Sequence, residues 1–149
     1  MRRQLNHQGF TVLEAIASVF IISLVLTTAI SIVINVRNQT EATNERILAV
    51  EVGSRIRDDL INNSTYDEIS VWMNGGGVLV TSSTCASLAT PFSCDIFTYT
   101  SNNRVYDETM TLSFIAPTVE STQYQVIHFE IIIEYYPHRF LTLEGIIYE

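Results

Sequence analysis

The sequence predicts an α+β fold in which one long N-terminal helix is packed against an antiparallel β-sheet head. Three observations predict it. Ala15 to Val36 runs for 22 residues without a charge, residues 37–63 carry apolar side chains at helical spacing, and short β-branched and aromatic runs follow from residue 71. Composition agrees, with 47% hydrophobic and only 16% charged residues, against about 25% charged in an average soluble domain. The missing charge is concentrated in one place. Between Phe10 and Val36 the only ionisable side chain is Glu14. The formal charge is −8, from 8 Arg, no Lys and 16 acidic residues. Setting aside Arg2 and Arg3 leaves 6 Arg against 16 acids, a formal −10 from Phe10 onward. No basic stripe exists for phosphate contacts, so nucleic-acid binding is not expected. Collagen, low-complexity disorder and cysteine-rich mini-proteins are excluded on composition.

Residues 1–9 (MRRQLNHQG) are short and polar, with net charge +2. The apolar run of residues 10–36 is long enough to cross a hydrocarbon core, which takes about 20 residues. It is too long for the apolar region of a secretory signal peptide, and no A-x-A pattern follows. Arg2 and Arg3 predict an N-terminus left in the cytoplasm and a C-terminal part outside. Arg37 opposes that bias, although Glu41 and Glu45 follow it. Glu14 does not fit a plain anchor, because a carboxylate at the bilayer centre costs about 2.5–3.5 kcal/mol. Either it lies near enough to the edge to reach the headgroups, or it has a cationic partner inside the membrane. A free α-amino group would serve, and a cut just before Phe10 would create one.

Gly9-Phe10-Thr11-Val12-Leu13-Glu14, after a short basic leader and before a long apolar helix, closely resembles the type IV pilin and pseudopilin signature. The resemblance covers about the first third of the chain. It implies that a membrane prepilin peptidase cuts after Gly9 and methylates the new N-terminal Phe10, and that Glu14 docks the subunit into a growing filament. Each residue also has a physical reason. Gly9 leaves the following peptide bond open and can leave helical geometry cheaply. Phe10 is a large apolar residue that would hold the new amine at the membrane boundary. Glu14 could pair with a neighbour's Phe10 amine in low dielectric. The chain departs from the family in having no proline in the apolar helix; Thr27, Thr28 and Ser31 can instead bend it mildly by bonding carbonyls one turn back.

Residues 37–63 read as an amphipathic continuation of the helix, with a stripe at Ile47/Leu48, Val52, Ile56 and Leu60 and a stop at Asn62-Asn63-Ser64. Residues 64–149 read as the extracytoplasmic head. Val71–Met73, Val78–Thr81, Ile96–Thr100, Thr109–Phe114, Tyr124–Tyr136 and Arg139–Tyr148 are strand candidates. Pro137-His138 between the last two suggests an antiparallel hairpin. Its Ile127, Phe129, Ile131, Ile133 and Tyr135 face is uniformly apolar and should be the core face. Residues 74–95 read as a loop. Gly75-Gly76-Gly77 suits a flexible turn, since no Lys follows as a phosphate cradle would need.

Cys85 and Cys94 are the only cysteines. Outside the cell they would form a disulfide; two free thiols are the alternative. Pilins often close their C-terminal region with a disulfide, but this pair lies well upstream, so no receptor-binding role is carried over. No catalytic or metal site is expected, and no cofactor. His7 lies in the leader, His128 in a strand and His138 in a turn, none within a nucleophile motif. Asp107-Glu108 beside Asn102 and Asn103 lack the spacing of a calcium loop and suit a solvated turn. The N-x-[ST] matches at Asn38, Asn62 and Asn63 are read as chance. The expected role is a structural subunit of a type IV pilus-like filament, not an enzyme, held in the inner membrane and then polymerised. A minor pilin or pseudopilin is preferred because the cysteines and proline-free helix are atypical. By resemblance its partners are the prepilin peptidase, other pilin subunits, an assembly ATPase, an assembly platform membrane protein and membrane lipid, in a type IV pilus, type II secretion or competence system. The alternative is an uncleaved, single-pass anchored ectodomain for sensing or ligand binding.

Overall fold

The computed structural model describes residues 11–148. They divide by contacts into a unit ending at Glu41 and a second beginning at Ala42, five residues beyond the boundary that charge patterning places after Val36. Helix α1 (Val12–Asn63) starts at Thr11, whose Oγ1 accepts the Glu14 backbone N–H at 3.2 Å. It ends at Asn63, where the sequence places its stop.

The first unit is helix alone, and no residue from Thr11 to Glu41 is buried. An 18-residue window in it reaches a mean hydropathy of 2.5, so this helix is long and apolar enough to cross a membrane. Each hydroxyl between Val12 and Val36 is satisfied within the helix. Ser18 donates to the Glu14 carbonyl at 2.7 Å, Ser23 to Val19 at 2.8 Å, Thr27 to Ser23 and Leu24 at 3.0 and 2.9 Å, Thr28 to Val25 at 2.9 Å and Ser31 to Thr27 at 2.9 Å. This removes most of the cost of placing a polar side chain in hydrocarbon, where water cannot replace a missing partner.

The second unit folds around the C-terminal part of α1. Helix α2 (Tyr66–Met73) is followed by β1 (Val78–Thr81), the short α3 (Ser82–Cys85), a 3-10 turn (Cys94–Thr98), β2 (Thr100–Ser101), β3 (Arg104–Val105), β4 (Met110–Phe114), α4 (Val119–Gln123), β5 (Ile127–Tyr136) and β6 (Arg139–Ile147). Strands β1-β4-β5-β6 form one antiparallel sheet, and β2-β3 form a separate hairpin. The fold is therefore α+β, with the long helix packed on one sheet face. Ala49, Val52, Ile56 and Leu60 of α1 are buried together with Leu112, Phe114, Phe129, Ile131 and Ile133 of the sheet. Ile127, Phe129, Ile131 and Ile133 turn inward as the β5 alternation predicts. Two glycines allow close approach, Gly53 between helix and sheet and Gly145 within the sheet. A Cβ on Gly53 of α1 would fall on Leu143 of β6 and 3.3 Å from the Ile133 Cδ1, and one on Gly145 would enter the Phe129 ring.

Several expected elements differ. Val71–Met73 is the last turn of α2, not a strand. A capping box, Glu68 N–H on Thr65 Oγ1 and Thr65 N–H on Glu68 Oε2, starts that helix, and Ile69 and Met73, four apart, are both buried. Ile96–Thr100 is mostly the 3-10 turn, begun by Ser93, whose Oγ accepts the Asp95 N–H at 3.2 Å, and anchored by the buried Ile96 and Phe97. The run from Tyr124 enters β5 only at Ile127, because Gln125 adopts φ 52° after α4. Residues 74–95 contain β1 and α3 and are not one loop. Ile47 is 60% exposed and lies off the buried stripe, which runs instead through Ala42, Ala49, Val52, Gly53, Ile56 and Leu60.

Candidate functional site

Two places carry chemistry: the start of α1 and the face where the β2-β3 hairpin meets α1. Gly9 and Phe10 lie outside the described residues. Glu14 is described, exposed, in the first turn of α1. Thr11 at the N-cap and Glu14 at the third helical position match the T-x-x-E pattern of a capping box, a signal the sequence reading passed over. A carboxylate there faces the unpaired N–H groups and positive dipole end of the helix, which stabilises it by about 0.3–1 kcal/mol. Glu14 therefore has a local role in starting the helix as well as a charge available to a partner.

The hairpin is held by two glutamates of α1. Asn102 and Asn103, at φ 49° and 60°, make the turn, both left-handed as a type I′ hairpin requires. Arg104 then grips Glu45 with two parallel bonds, Nε to Oε2 at 3.0 Å and Nη2 to Oε1 at 2.7 Å. The Tyr106 hydroxyl donates toward the Glu45 carboxylate and carbonyl, each at 3.3 Å. Six residues on, Glu51 accepts from Ser101 Oγ at 2.6 Å and from Arg55 Nη2 at 2.6 Å, and Arg55 Nη1 reaches the Thr100 carbonyl at 3.4 Å. Burial first, and then the neighbouring Glu45 charge, push the Tyr106 pKa above its usual value, while Arg104 partly opposes that.

Replacing Glu45 by Ala removes the carboxylate that both Arg104 and Tyr106 use. Arg104 is exposed and can turn to water, while the buried Tyr106 hydroxyl keeps only the Glu45 carbonyl, so the loss is about 1 kcal/mol. The expected result is faster amide exchange confined to residues 99–106. Tyr106 carries the pH counterpart. Its folded pKa is raised, so its contribution is complete below the ordinary tyrosine pKa of 10.0 and is lost as pH rises through the higher folded value. Stability measured across alkaline pH should fall in that window, and less steeply in Tyr106→Phe.

Cys85 and Cys94 form a disulfide. Cys85 is fully buried, and the loop it closes rests on Trp72, whose Nε1 donates to the Leu88 carbonyl at 2.9 Å. Trp72 meets Phe92 and Phe114 edge-on at 5.9 and 5.4 Å. Closing so short a loop stabilises the fold by about 2.5–3 kcal/mol in the chain-entropy model. The Cys85→Ser/Cys94→Ser variant should unfold at correspondingly lower denaturant with the same slope.

The remaining candidates are dispersed. His128 is exposed on the outer face of β5, opposite Ile146. His138 occupies the β5-β6 turn at φ 61°, and its backbone N–H donates to Glu134 Oε1 at 2.9 Å. Gly75 (φ 78°) follows Asn74 in a turn after α2 and opens no helix. Beside the end of α1 a depression of about 620 Å³ is lined by Arg55, Asp58, Asp59, Asn62, Asn63 and Tyr99, among others. Arg55 is occupied by Glu51, and no His or Cys lines this depression. Among the described residues no group of three or more His, Cys, Asp or Glu converges as metal ligands would. In comparisons with family models, curated proteins and solved structures, the chain matches none.

Proposed function

We propose that this chain is a structural subunit of a type IV pilus-like filament, cut after Gly9, methylated on Phe10 and assembled through its N-terminal helix. The observation that carries the reading is the run Gly9-Phe10-Thr11-Val12-Leu13-Glu14, whose last three residues open a helix with no buried residue up to Glu41. An apolar helix with every hydroxyl satisfied internally suits both a lipid reservoir and a filament core, because neither offers it water. The acidic head, with its own core and disulfide, would face outward in the periplasm or outside the cell, carrying whatever specificity the subunit has. A minor pilin or pseudopilin remains the preferred kind. Its partners would be a prepilin peptidase, an assembly ATPase, a platform membrane protein, lipid and other subunits.

The capping-box position of Glu14 favours one alternative, an uncleaved anchored ectodomain, since it gives that carboxylate a purpose without a partner subunit. The N-terminus and intact mass of the chain recovered from its host's membranes separate the two. A chain beginning at Phe10, lighter by nine residues and heavier by one methyl, is the expected result. A chain still beginning at Met1 in cells with an active peptidase overturns it.

A further inference from the structure

We infer that Asn74 is a self-modification site, converting spontaneously to aspartate and isoaspartate through a cyclic imide with Gly75 while the protein stays folded. The chain has nine asparagines, and only Asn74 precedes a glycine. That matters because the attacking atom is the backbone nitrogen of the next residue, and a side chain on that residue hinders its approach.

The fold leaves this particular bond free. Residues 74–77 are exposed. The Asn74 N–H is held by the Val71 carbonyl at 3.3 Å and the Gly76 N–H by Met73 at 3.0 Å, whereas the Gly75 N–H has no hydrogen-bond partner among the described residues. A Cβ built on Gly75 would meet nothing within 4 Å, so there is room for a ring to close. Asn74 and Gly75 both have positive φ, at 48° and 78°. Asparagine adopts the left-handed conformation more readily than other residues with a side chain, so this exposed turn is held by its two backbone bonds and not by packing. Beyond it the chain is packed again, since a Cβ on Gly77 would lie 3.2 Å from the Phe114 carbonyl oxygen.

Two other asparagines have a fixed side chain or a fixed neighbour. Asn63 Nδ2 donates to Asp59 Oδ1 at 2.7 Å, and the residue after it, Ser64, is 6% exposed. Asn103 is followed by Arg104, which is forked onto Glu45.

The chemistry balances with water alone. The Gly75 nitrogen gives up its proton and attacks the Asn74 Cγ. A new N–Cγ bond forms, the Cγ–Nδ2 bond breaks, and ammonia leaves with that proton. Water then adds to the imide. Breaking the N–Cγ bond gives aspartate on the original backbone; breaking the bond from the same nitrogen to the Asn74 carbonyl carbon gives isoaspartate, with the chain rerouted through Cβ and Cγ. Each event adds one negative charge to a chain already at −8. The isoaspartyl form also inserts one backbone carbon between the α2 cap and β1.

The test incubates the purified full-length chain in detergent at mildly alkaline pH, both folded and in denaturant, and follows the gain of one mass unit by peptide mapping. In the folded chain, conversion at Asn74 should run within a few-fold of its rate in the denatured chain, as expected where no opening step is required. Conversion at Asn63 should be slowed tenfold or more by folding. Asn74→Gln should abolish the early acidic species. A folded rate at Asn74 more than tenfold below the denatured rate, or an acidic species that persists in Asn74→Gln, overturns the inference.

Discussion

Replacing Gly145 by alanine should cost the head about 3 kcal/mol, and replacing it by valine should cost more. Gly145 sits opposite Phe129 across β5 and β6. A Cβ there would enter the Phe129 ring, lying 2.6 and 2.9 Å from its two Cε atoms. The ring cannot step aside, because Phe129 is fully buried and Phe114 stands 5.9 Å away on its other flank. Overpacking a rigid core costs about 1–3 kcal/mol, and this site belongs at the upper end because the obstacle is a planar ring wedged between strands. A whole domain holds about 5–15 kcal/mol, so the valine variant removes a large share of it. Denaturant titration with the disulfide intact reads the loss. Adding Phe129→Leu to Gly145→Ala should recover part of it, since two residues in contact couple rather than add. An unchanged midpoint for Gly145→Ala would show that the close approach of ring and backbone is not maintained in solution.

Under the proposed filament role, a chain carrying Glu14→Gln should be shortened at Gly9 like the unmodified chain and then be lost from filaments. Glutamine suits the third helical position as glutamate does and removes the charge. The dipole share of that charge is only about 0.3–1 kcal/mol, so a larger loss belongs to pairing with a neighbour. If Glu14 pairs with a neighbouring amine in low dielectric, removing one partner costs about 3–5 kcal/mol. That corresponds to roughly two to three and a half orders of magnitude in incorporation. Quantifying the variant in sheared filaments against its level in membranes gives the answer. Equal incorporation of Glu14→Gln and the unmodified chain would assign the carboxylate to helix initiation alone and would remove the docking role.

The parts of this fold written in local pattern were legible. Strands β1 and β6 follow from β-branched and aromatic runs, the β5-β6 hairpin from its Pro-His turn and the inward face of β5 from period-two alternation. The end of α1 follows from Asn62-Asn63-Ser64. Two local signals were present and overruled by stronger-looking ones. Thr65-x-x-Glu68 announces α2, yet Val71, Trp72 and Met73 read as a strand because one is β-branched and one aromatic. Asn102-Asn103 announces a hairpin, yet its strands are two residues each, too short for any alternation to show.

The sequence by itself determined the apolar span, its N-terminal position, the charge deficit around Glu14 and the α+β class, because each depends on composition or on spacing within one segment. It also carried the whole of the pilin resemblance. Only the tertiary structure decided that Glu45 and Glu51 clamp a hairpin more than 45 residues away, that Gly53 and Gly145 are sites of close approach, and that the Gly75 N–H is unbonded. Those facts depend on which residues meet across the chain. A glutamate on a helix face has the same local pattern whether it is solvated or grips an arginine, and a glycine in a strand has the same pattern whether open water or a phenyl ring lies above it. The distinction exists only once the layers have packed.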